Sequence, residues 1–342
     1  MVRAVGASQA RLDALFDSLV DFDIRDAERR LNECVVRGAA IHFTHPFETL
    51  HDVGQLVEEV FRPLSNAIPD LERRMTIKVQ GETSSGAMMV GVCGYYTGAF
   101  RKPYLGIRPT GQQVTMRFHE FFRIGKGGVE EVQAVWDLPE LMMQAGVWPM
   151  APALRRPWNV PAPTPQDGLR RPETPDEVST ESARIVEEML TEMGRHPREP
   201  VSVMRLEDFW HPRMSWYGPA AIGACRGIEG FRNGHQIPFL RALPDRRGSV
   251  GGGYYFADGP YVAFTAWPGM NMSVTGDGWL GINPTGQRIT MRSLDFWRVE
   301  RGLIRENWVL VDMLHVWKQL GVDVIARAVE MCSQLEHDEN YR

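Results

Sequence analysis

The chain has 342 residues, of which 43% are hydrophobic and 24% charged, with a formal net charge of −5 and a pI near 6.0. This mixture is typical of a globular protein, and it offers no overall basic surface to nucleic acid or to an anionic membrane. The length predicts about two domains, each large enough to bury its own core.

The N-terminal thirty residues are charged throughout and lack the apolar segment of a signal peptide. No run of apolar residues approaches the length of a membrane span. Four cysteines, Cys34, Cys93, Cys225 and Cys332, are too widely spaced for a metal motif or a disulfide framework. We therefore expect a cytoplasmic protein with free thiols and with neither nucleic-acid nor membrane partners.

Helices open the first half of the chain, and strands follow them. Apolar residues recur at helical spacing within Ala10–Val36, and a second amphipathic helix is predicted at Val53–Ser65. Four strand-like runs come next: Arg74–Val79, Ala87–Tyr96, Gln113–Ile124 and Val129–Asp137. A Gly-Lys-Gly-Gly segment predicts a hairpin turn between the last two strands.

The second half repeats the first at an offset of 175 residues. Tyr104–Val147 aligns with Trp279–Val322 without a gap, and 18 of the 44 positions are identical. The shared residues are L-G-I-x-P-T-G-Q, T-M-R, F-x-R, then single Gly, Glu and Asp residues and a closing Q-x-G-V. Because the repeat is too long for a solenoid unit, we interpret it as two copies of one domain.

A proline-rich linker separates the two copies. Residues 149–175 contain eight prolines in 27 residues, which favours extended backbone over helix or sheet. The predicted organisation is domain 1 at 8–148, the linker, domain 2 at 176–322 and a helical tail at 323–342. Domain 2 has a predicted helix at Asp176–Met193 and strands near Val250–Ala257, Val262–Pro268, Gln287–Val299 and Leu303–Val311.

Helices followed by a meander of long strands predict an α+β fold. We expect each domain to be one curved antiparallel sheet with helices on its concave side.

The repeated motifs resemble the SnoaL-like polyketide cyclase (ester cyclase) family of the NTF2-like superfamily. The resemblance is strongest over Tyr104–Val147 and Trp279–Val322 and implies two tandem cone-shaped domains. It also implies a pair of domains packed sheet to sheet, in place of the homodimer common in this fold, with further homo-oligomerisation left open. Family cyclases use no metal or organic cofactor, so none is expected here. Fold alone does not define the reaction, because this fold carries both enzymes and inert binding proteins.

The family's acid–base Asp is missing from both copies. The resemblance places it three residues before Asp137 and Asp312, where this chain has Ala134 and Val309. A second family position, often His, corresponds to Glu120 and Asp295. Both copies therefore lack one carboxylate and carry another on the adjacent strand, and the family mechanism does not transfer directly.

Asp295 is the main catalytic candidate, and Glu120 is its weaker counterpart in domain 1. Strand alternation puts Met291, Ser293, Asp295 and Trp297 on one face, which the resemblance assigns to the cone interior. Arg305 and Asn307 on the next strand should share that interior. They are either structural partners of Asp295 or orienting groups, since a buried acid needs a partner or a function.

Asp137 and Asp312 are identical in the two copies and come directly before short predicted helices. Asp137-Leu138-Pro139-Glu140 has the pattern of a capping box. We interpret both aspartates as helix caps in preference to catalytic groups.

Histidines and aromatic residues of domain 2 complete the predicted site. His211 and His235 would lie at the rim of the cone, as bases at neutral pH or as structural residues. Aromatic side chains would form the walls for a flat apolar ligand: Trp210, Trp216, Tyr217, Tyr255 and Trp297. His42, His45 and His51 are close in sequence, but no carboxylate completes a ligand set, and we expect no metal there.

The predicted function is that of a cofactor-independent small-molecule lyase, isomerase or cyclase, with its working cone in domain 2. Asp295 would transfer the proton, and Asn307 or Arg305 would orient the substrate. The alternative is a non-catalytic ligand-binding or scaffold protein, which the missing family Asp favours. An open apolar cone with an unpaired carboxylate would favour the enzyme.

Overall fold

The computed structural model describes residues 2–157, 160–196, 198–248 and 253–339, which form two similar α+β domains. Domain 1 begins with two helices and closes with a short helix after its last strand. Its helices are α1 (Val2–Ser18), α2 (Ile24–Cys34), α3 (Val53–Gln55), α4 (Arg62–Ala67) and α5 (Leu138–Gln144), with a π-helical segment, Leu56–Phe61, joining α3 to α4. Its strands are β1 (Val35–Phe43), β2 (Thr49–Leu50), β3 (Glu72–Glu82), β4 (Met88–Ala99), β5 (Gln113–Ile124) and β6 (Val129–Trp136).

Domain 2 has the same plan with a longer first helix. Its helices are α6 (Asp176–Arg195), α7 (Leu206–Phe209), α8 (Gly227–Phe231), α9 (Ile237–Ala242), α10 (Met313–Gln319) and the tail helix α11 (Val324–Glu339). A 3-10 turn at Val201–Met204 precedes α7, and a π-helical segment, Arg232–Gln236, joins α8 to α9. Its strands are β7 (Trp210–Tyr217), β8 (Ala224–Arg226), β9 (Tyr254–Asp258), β10 (Tyr261–Ser273), β11 (Arg288–Glu300) and β12 (Leu303–Val311).

Each domain contains one six-stranded sheet, in the orders β2-β1-β6-β5-β4-β3 and β8-β7-β12-β11-β10-β9. The predicted meanders, β3 to β6 and β9 to β12, are antiparallel. The expected antiparallel sheet is extended into a mixed one in each domain, because β1 pairs with β6 and β7 pairs with β12 in parallel. Residues 250–252, where the first strand of domain 2 was predicted to begin, lie outside the described residues.

The single helix predicted over Ala10–Val36 is two helices followed by a strand. Asp23 interrupts it by capping α2, where its carboxylate accepts from the backbone N–H groups of Arg25 and Asp26. Strand β1 then begins at Val35, directly after the last residue of α2. Since no Gly or Pro separates helix from strand, the sequence carries no local signal for the change.

The two sheets pack against each other through one face each. Apolar side chains of both sheets form this shared layer, among them Ile77, Val79, Met89, Phe121 and Val135 from domain 1 and Phe256, Leu294, Phe296, Trp308 and Leu310 from domain 2. Phe121 and Phe296 meet with ring centroids 5.1 Å apart, and His119 bonds the carbonyl oxygen of Leu294 at 2.7 Å. The opposite face of each sheet is left to the helices and the cone.

Arg117 and Asp137 of domain 1 form a buried ion pair that holds a loop of domain 2. The Arg117 guanidinium donates to Asp137 at 2.6 Å and to the carbonyl oxygen of Gly218 at 2.7 Å. Asp137 accepts a further bond from the Ala220 N–H at 2.8 Å. The Asp137 carboxylate bonds none of the first-turn N–H groups of α5 in the described chain, so the capping interpretation was wrong for this residue.

Domain 2 makes the equivalent contact with domain 1, through an ion pair of its own. Arg292 donates to Asp312 at 3.0 Å and to Glu48 at 2.5 Å, and Asp312 accepts from the His45 N–H at 2.9 Å. Asp312 also accepts from the His315 N–H at 3.1 Å, so here the capping prediction is confirmed. The Arg of T-M-R and the following Asp therefore join the two copies to each other.

The repeated Leu-Gly of L-G-I forms a tight turn in each domain. Leu105 and Gly106 have φ values of 50° and 77°, and Leu280 and Gly281 have 50° and 85°. Left-handed φ values at two successive residues favour Gly. A Cβ on Gly106 would also come within 2.6 Å of Val329 on the tail helix, so the turn is a docking point for the C-terminal segment.

No helix among the described residues combines the length and apolar composition needed to span a bilayer.

Replacing Arg292 by Gln is expected to lower the free energy of unfolding by about 3–5 kcal/mol, because it leaves Asp312 as an unpaired buried charge. Urea unfolding followed by tryptophan fluorescence measures the loss. Arg184→Gln is the control, since Arg184 pairs with Glu181 and Glu188 on an exposed helix face and its loss should change the free energy of unfolding far less. Equal losses in the two variants would contradict the buried contact.

The candidate active site in the second domain

A cavity of ≈ 550 Å³ lies in the cone of domain 2. Helix α6, the helical segment 227–242 and strands β7, β10, β11 and β12 contribute to its walls. Most of the lining is apolar or aromatic: Met189, Leu190, Met193, Trp210, Trp216, Phe231, Phe239, Phe264, Met270, Trp279, Met291 and Trp297. Its size and apolar lining are those of a small-molecule site.

Asp295 lies on the wall of this cavity. The residue is largely enclosed by protein and partly exposed, and it lines the cavity. The Ser293 hydroxyl donates to its carboxylate at 2.5 Å, and no basic side chain of the described residues pairs with it. Burial raises the pKa of Asp295 to about 7, and the Ser293 hydrogen bond offsets part of that rise.

Glu120, the equivalent residue of domain 1, is paired with a buried arginine and surrounded by further hydrogen-bond donors. Its carboxylate accepts from Arg73 at 2.5 Å, from the Trp136 indole at 3.0 Å and from the Tyr96 hydroxyl at 3.4 Å. Arg73, Tyr96 and Trp136 are each at most 2% exposed. Glu120 is therefore a neutralised structural group inside a filled core.

Three changes in domain 2 remove these partners from Asp295. At the positions matching Trp136 and Tyr96, the repeat and the strand register place Val311 and Met270. Arg73 lies on β3, which has 11 residues, whereas the described part of the equivalent strand β9 has only five. The antiparallel bridge between Arg247 and Asn271 places Gly248 opposite Met270, at the position of Arg73, so that position carries no basic side chain.

Polar atoms without partners surround the cavity. The indole N–H groups of Trp210, Trp279 and Trp297 and the Nδ1 atom of His235 are buried and make no hydrogen bond within the described residues. His235 stacks on Trp216 with ring centroids 4.3 Å apart, and burial lowers its pKa to about 3. The imidazole is therefore neutral at physiological pH. Unpartnered buried polar groups are costly, and these four atoms are covered within the cavity wall.

Asn307 lines the cavity, but Arg305 does not. The Asn307 side chain donates to the carbonyl oxygen of Phe296 at 2.9 Å, which ties it to its own sheet. Arg305 is the extra residue of a β-bulge, because Val299 pairs with Ile304 and Arg298 with Glu306. The bulge breaks the alternation assumed from sequence, and the Arg305 guanidinium bonds the backbone of Arg213 instead.

Four of the five predicted aromatic wall residues line the cavity together with Asp295: Trp210, Trp216, Tyr255 and Trp297. His235, predicted at the rim, lines it as well. Tyr217 follows Trp216 and points to the opposite face of β7, where it packs on Trp308 in the layer between the sheets. His211 is outside the cavity, and its Nδ1 atom accepts from the Arg213 N–H. Strand alternation from Trp210 and Trp216 would have excluded both residues.

Several lining residues were missed by reasoning from the sequence. Helix α6 contributes Met189, Leu190 and Met193, whose side chains form the apolar face of a helix that was predicted without a role in the site. Arg246 follows α9 in an irregular segment, where neither periodicity nor a motif marks it.

Two of the three histidines near the start of domain 1, His42 and His45, have separate side-chain partners. His42 contacts the Thr49 hydroxyl at 3.1 Å and stacks on Trp267. His45 contacts Glu48 at 3.0 Å. Among the described residues, no cluster of three or more metal-ligating side chains is found.

Comparison with known proteins matches one family twice. The sequence profile described as SnoaL-like polyketide cyclase matches residues 30–145 and 196–320. No protein of curated function matches the chain.

Three solved structures each match less than half of this chain. AclR from Streptomyces galilaeus is 21% identical, with a TM-score of 0.33, covering 42% of this chain and 97% of its own. IdmH from Streptomyces antibioticus is 17% identical, with a TM-score of 0.34, covering 41% and 98%. A SnoaL-like protein from Jannaschia sp. CCS1 is 17% identical, with a TM-score of 0.35, covering 46% and 98%.

Glu120→Gln and Asp295→Asn should differ sharply in their effect on stability. Glu120→Gln leaves Arg73 as an unpaired buried cation and should cost about 3–5 kcal/mol of unfolding free energy. Asp295→Asn removes a carboxyl group that has no charged partner and should be neutral or stabilising at pH 8. Urea titrations of both variants at pH 8 provide the test, and a similar loss in each would contradict the difference between the cones.

The stability of the wild type relative to Asp295→Asn should fall with pH. The folded-state pKa is about 7, above the ordinary value of 3.8, so the unfolded chain ionises first as pH rises. Wild type should lose stability relative to the variant between about pH 4 and pH 7, with a constant difference above that. Urea midpoints at pH 4.5, 6 and 8 measure the trend. A difference independent of pH would show that the Asp295 pKa is not raised.

Proposed function

Because the chain belongs to the SnoaL-like polyketide cyclase family, we propose that domain 2 is a cofactor-independent acid–base catalyst acting on an apolar or aromatic carbonyl compound. The observation that carries the proposal is Asp295, a carboxyl group enclosed in an aromatic cavity with one serine as its hydrogen-bond donor. Its raised pKa suits proton transfer near neutral pH, where both protonation states are populated.

The Asp295 carboxylate removes a proton from the carbon next to a substrate carbonyl. The C–H electron pair moves into the carbonyl to form an enolate, and the carboxyl group holds the proton. Where a C=C bond extends the enolate, its electron pair reaches the far carbon, and returning the proton there shifts the double bond and isomerises the substrate. In a cyclisation, the enolate carbon instead attacks a second carbonyl of the same molecule, whose oxygen takes the proton and becomes a hydroxyl group.

The unpartnered N–H groups of the cavity can stabilise the negative oxygen of the enolate. The indole N–H groups of Trp210, Trp279 and Trp297 are free of other hydrogen bonds in the described chain. These N–H groups are covered within the cavity wall, so an indole has to turn toward the ligand before it can donate to a developing oxyanion.

The position of Asp295 supports the same role. The family resemblance places the acid–base Asp at the position of Val309, and Val309 pairs directly with Asp295 across β11 and β12. Directly opposite residues of antiparallel strands have Cβ atoms about 4.5–5.5 Å apart. A carboxyl group at Asp295 therefore reaches the same region of the cone from the neighbouring strand.

The alternative is a non-catalytic binding protein, and the replacement of the family Asp by Ala134 and Val309 favours it. Under this alternative, the cavity still takes a flat apolar ligand, but Asp295 only hydrogen-bonds it. In both cases domain 1, with its filled core around Glu120, serves as the structural partner.

Hydrogen–deuterium exchange of 2-tetralone in D₂O distinguishes the acid–base catalyst from the non-catalytic binding protein. This flat ketone exchanges an acidic C–H next to its carbonyl, and NMR follows the loss of the proton signal. We expect wild type to accelerate exchange over buffer and Asp295→Asn to lose about 10²–10⁴-fold of that acceleration.

Arg241→Gln serves as the control, because Arg241 is exposed and outside the cavity. It should exchange at the wild-type rate. Binding of 2-tetralone without acceleration by wild type would favour the binding protein, and unchanged exchange by Asp295→Asn would remove Asp295 from the mechanism.

A further inference from the structure

We propose that Arg246 binds an anionic group of the ligand, so that the cavity selects a flat apolar carboxylic acid over its neutral ester. The inference rests on the proposed function only in taking the cavity of domain 2 as the substrate site. It assigns a specificity residue and a ligand class, and it does not depend on Asp295 being catalytic.

Arg246 is buried and held in place at the cavity wall. Its side chain lines the cavity, and the residue is only 8% exposed. One Nη atom donates to the carbonyl oxygen of Met193 at 3.0 Å and the other to that of His196 at 3.3 Å. These carbonyls belong to the C-terminal end of α6, where free carbonyl groups and the helix dipole favour a cation.

Arg246 differs from the other buried arginines in having no carboxylate partner. Four others pair with an acid at 3.0 Å or less: Arg73 with Glu120, Arg117 with Asp137, Arg292 with Asp312 and Arg298 with Glu306. No described carboxylate pairs with Arg246, and residues 249–252, just after it, are Ser-Val-Gly-Gly and contain no acid.

The lack of a carboxylate partner is reflected in the pKa of Arg246. Burial alone lowers the pKa of Arg246 to about 10, whereas a neighbouring carboxylate would have raised it. Arg246 still carries its charge at neutral pH, so an unpaired cation borders an apolar cavity. A bound anion would supply the missing charge, and such charge-assisted hydrogen bonds are stronger than neutral ones.

The remaining titratable groups of the cavity do not compensate Arg246. Glu187 is exposed on α6, and the Tyr255 hydroxyl bonds the carbonyl oxygen of Ala183. His235 is neutral because burial lowers its pKa to about 3, with Arg246 as a further cause. With Asp295 largely protonated at pH 6, Arg246 provides the charge of the cavity interior, and the aromatic walls take the ligand's apolar body.

Anthracene-2-carboxylate and its methyl ester form a matched pair of probes, and fluorescence anisotropy at pH 6 measures their binding. Wild type should bind the carboxylate at least about tenfold more tightly than the ester. Arg246→Gln should weaken carboxylate binding at least about tenfold and change ester binding less than about twofold. Arg246→Lys should retain part of the preference, and Arg241→Gln, which removes an exposed charge from α9, should retain all of it.

The outcomes separate this inference from the proposed function. Equal binding of acid and ester by wild type, or no binding of either, overturns the inference, and wild type alone decides this if Arg246→Gln does not fold. A carboxylate preference that survives in a folded Arg246→Gln variant also overturns it. Exchange of the neutral 2-tetralone is measured independently, so a carboxylate preference without exchange activity would contradict the catalyst and leave Arg246 as an anion-binding residue.

Discussion

A carboxyl group inside an apolar cone must be neutralised by a partner or kept protonated, because burying an unpaired charge is costly. The two domains meet this constraint differently at one equivalent position. In domain 1, Arg73 and Trp136 bind Glu120 and complete a packed core. In domain 2 the partners are absent, and burial raises the pKa of Asp295 to about 7. The side chains that fill the cone of domain 1 are missing from domain 2, and the cavity occupies their space. The open cone and the raised pKa of Asp295 therefore have the same structural origin.

The shared sheet interface explains which residues the repeat retains. Arg117 with Asp137 and Arg292 with Asp312 each join their own sheet to a loop of the other domain. Since each clamp needs the other domain's loop, neither copy can change these residues alone without leaving a buried charge unpaired. Most of the identical positions lie at the interface and in the turns. The cavity, although Met291 of the shared T-M-R also lines it, is distinguished by positions that differ between the copies, such as Val132 and Asn307 or Trp136 and Val311.

Sequence reasoning predicted the long strands well because their alternation is a direct consequence of one face packing on the other sheet and one facing the cone. It therefore also placed Asp295, Trp297 and Asn307 on the side of the cavity. It failed where a local event interrupts the period. The β-bulge at Arg305 moves that side chain out of the site, and the direct passage from α2 into β1 hid a parallel strand. Arg246 has no periodic context, and its importance depends on the absence of a partner in three dimensions.

The charges of the cavity also suggest how a ligand would be oriented under the two proposals. Arg246 is among the causes that lower the pKa of His235, so these two groups lie within electrostatic reach of each other. The raised pKa of Asp295, by contrast, reflects burial and the Ser293 hydrogen bond, with no contribution from Arg246. A guanidinium in contact with Asp295 would lower the pKa of the carboxyl group, but among the described residues Arg246 bonds the carbonyl oxygens of Met193 and His196 and Asp295 bonds Ser293. Under the two proposals, a bound acid therefore places its carboxylate at Arg246 and its reacting carbonyl at Asp295. Because no ion pair joins the two groups, the cavity can hold an anion without ionising the acid that transfers the proton.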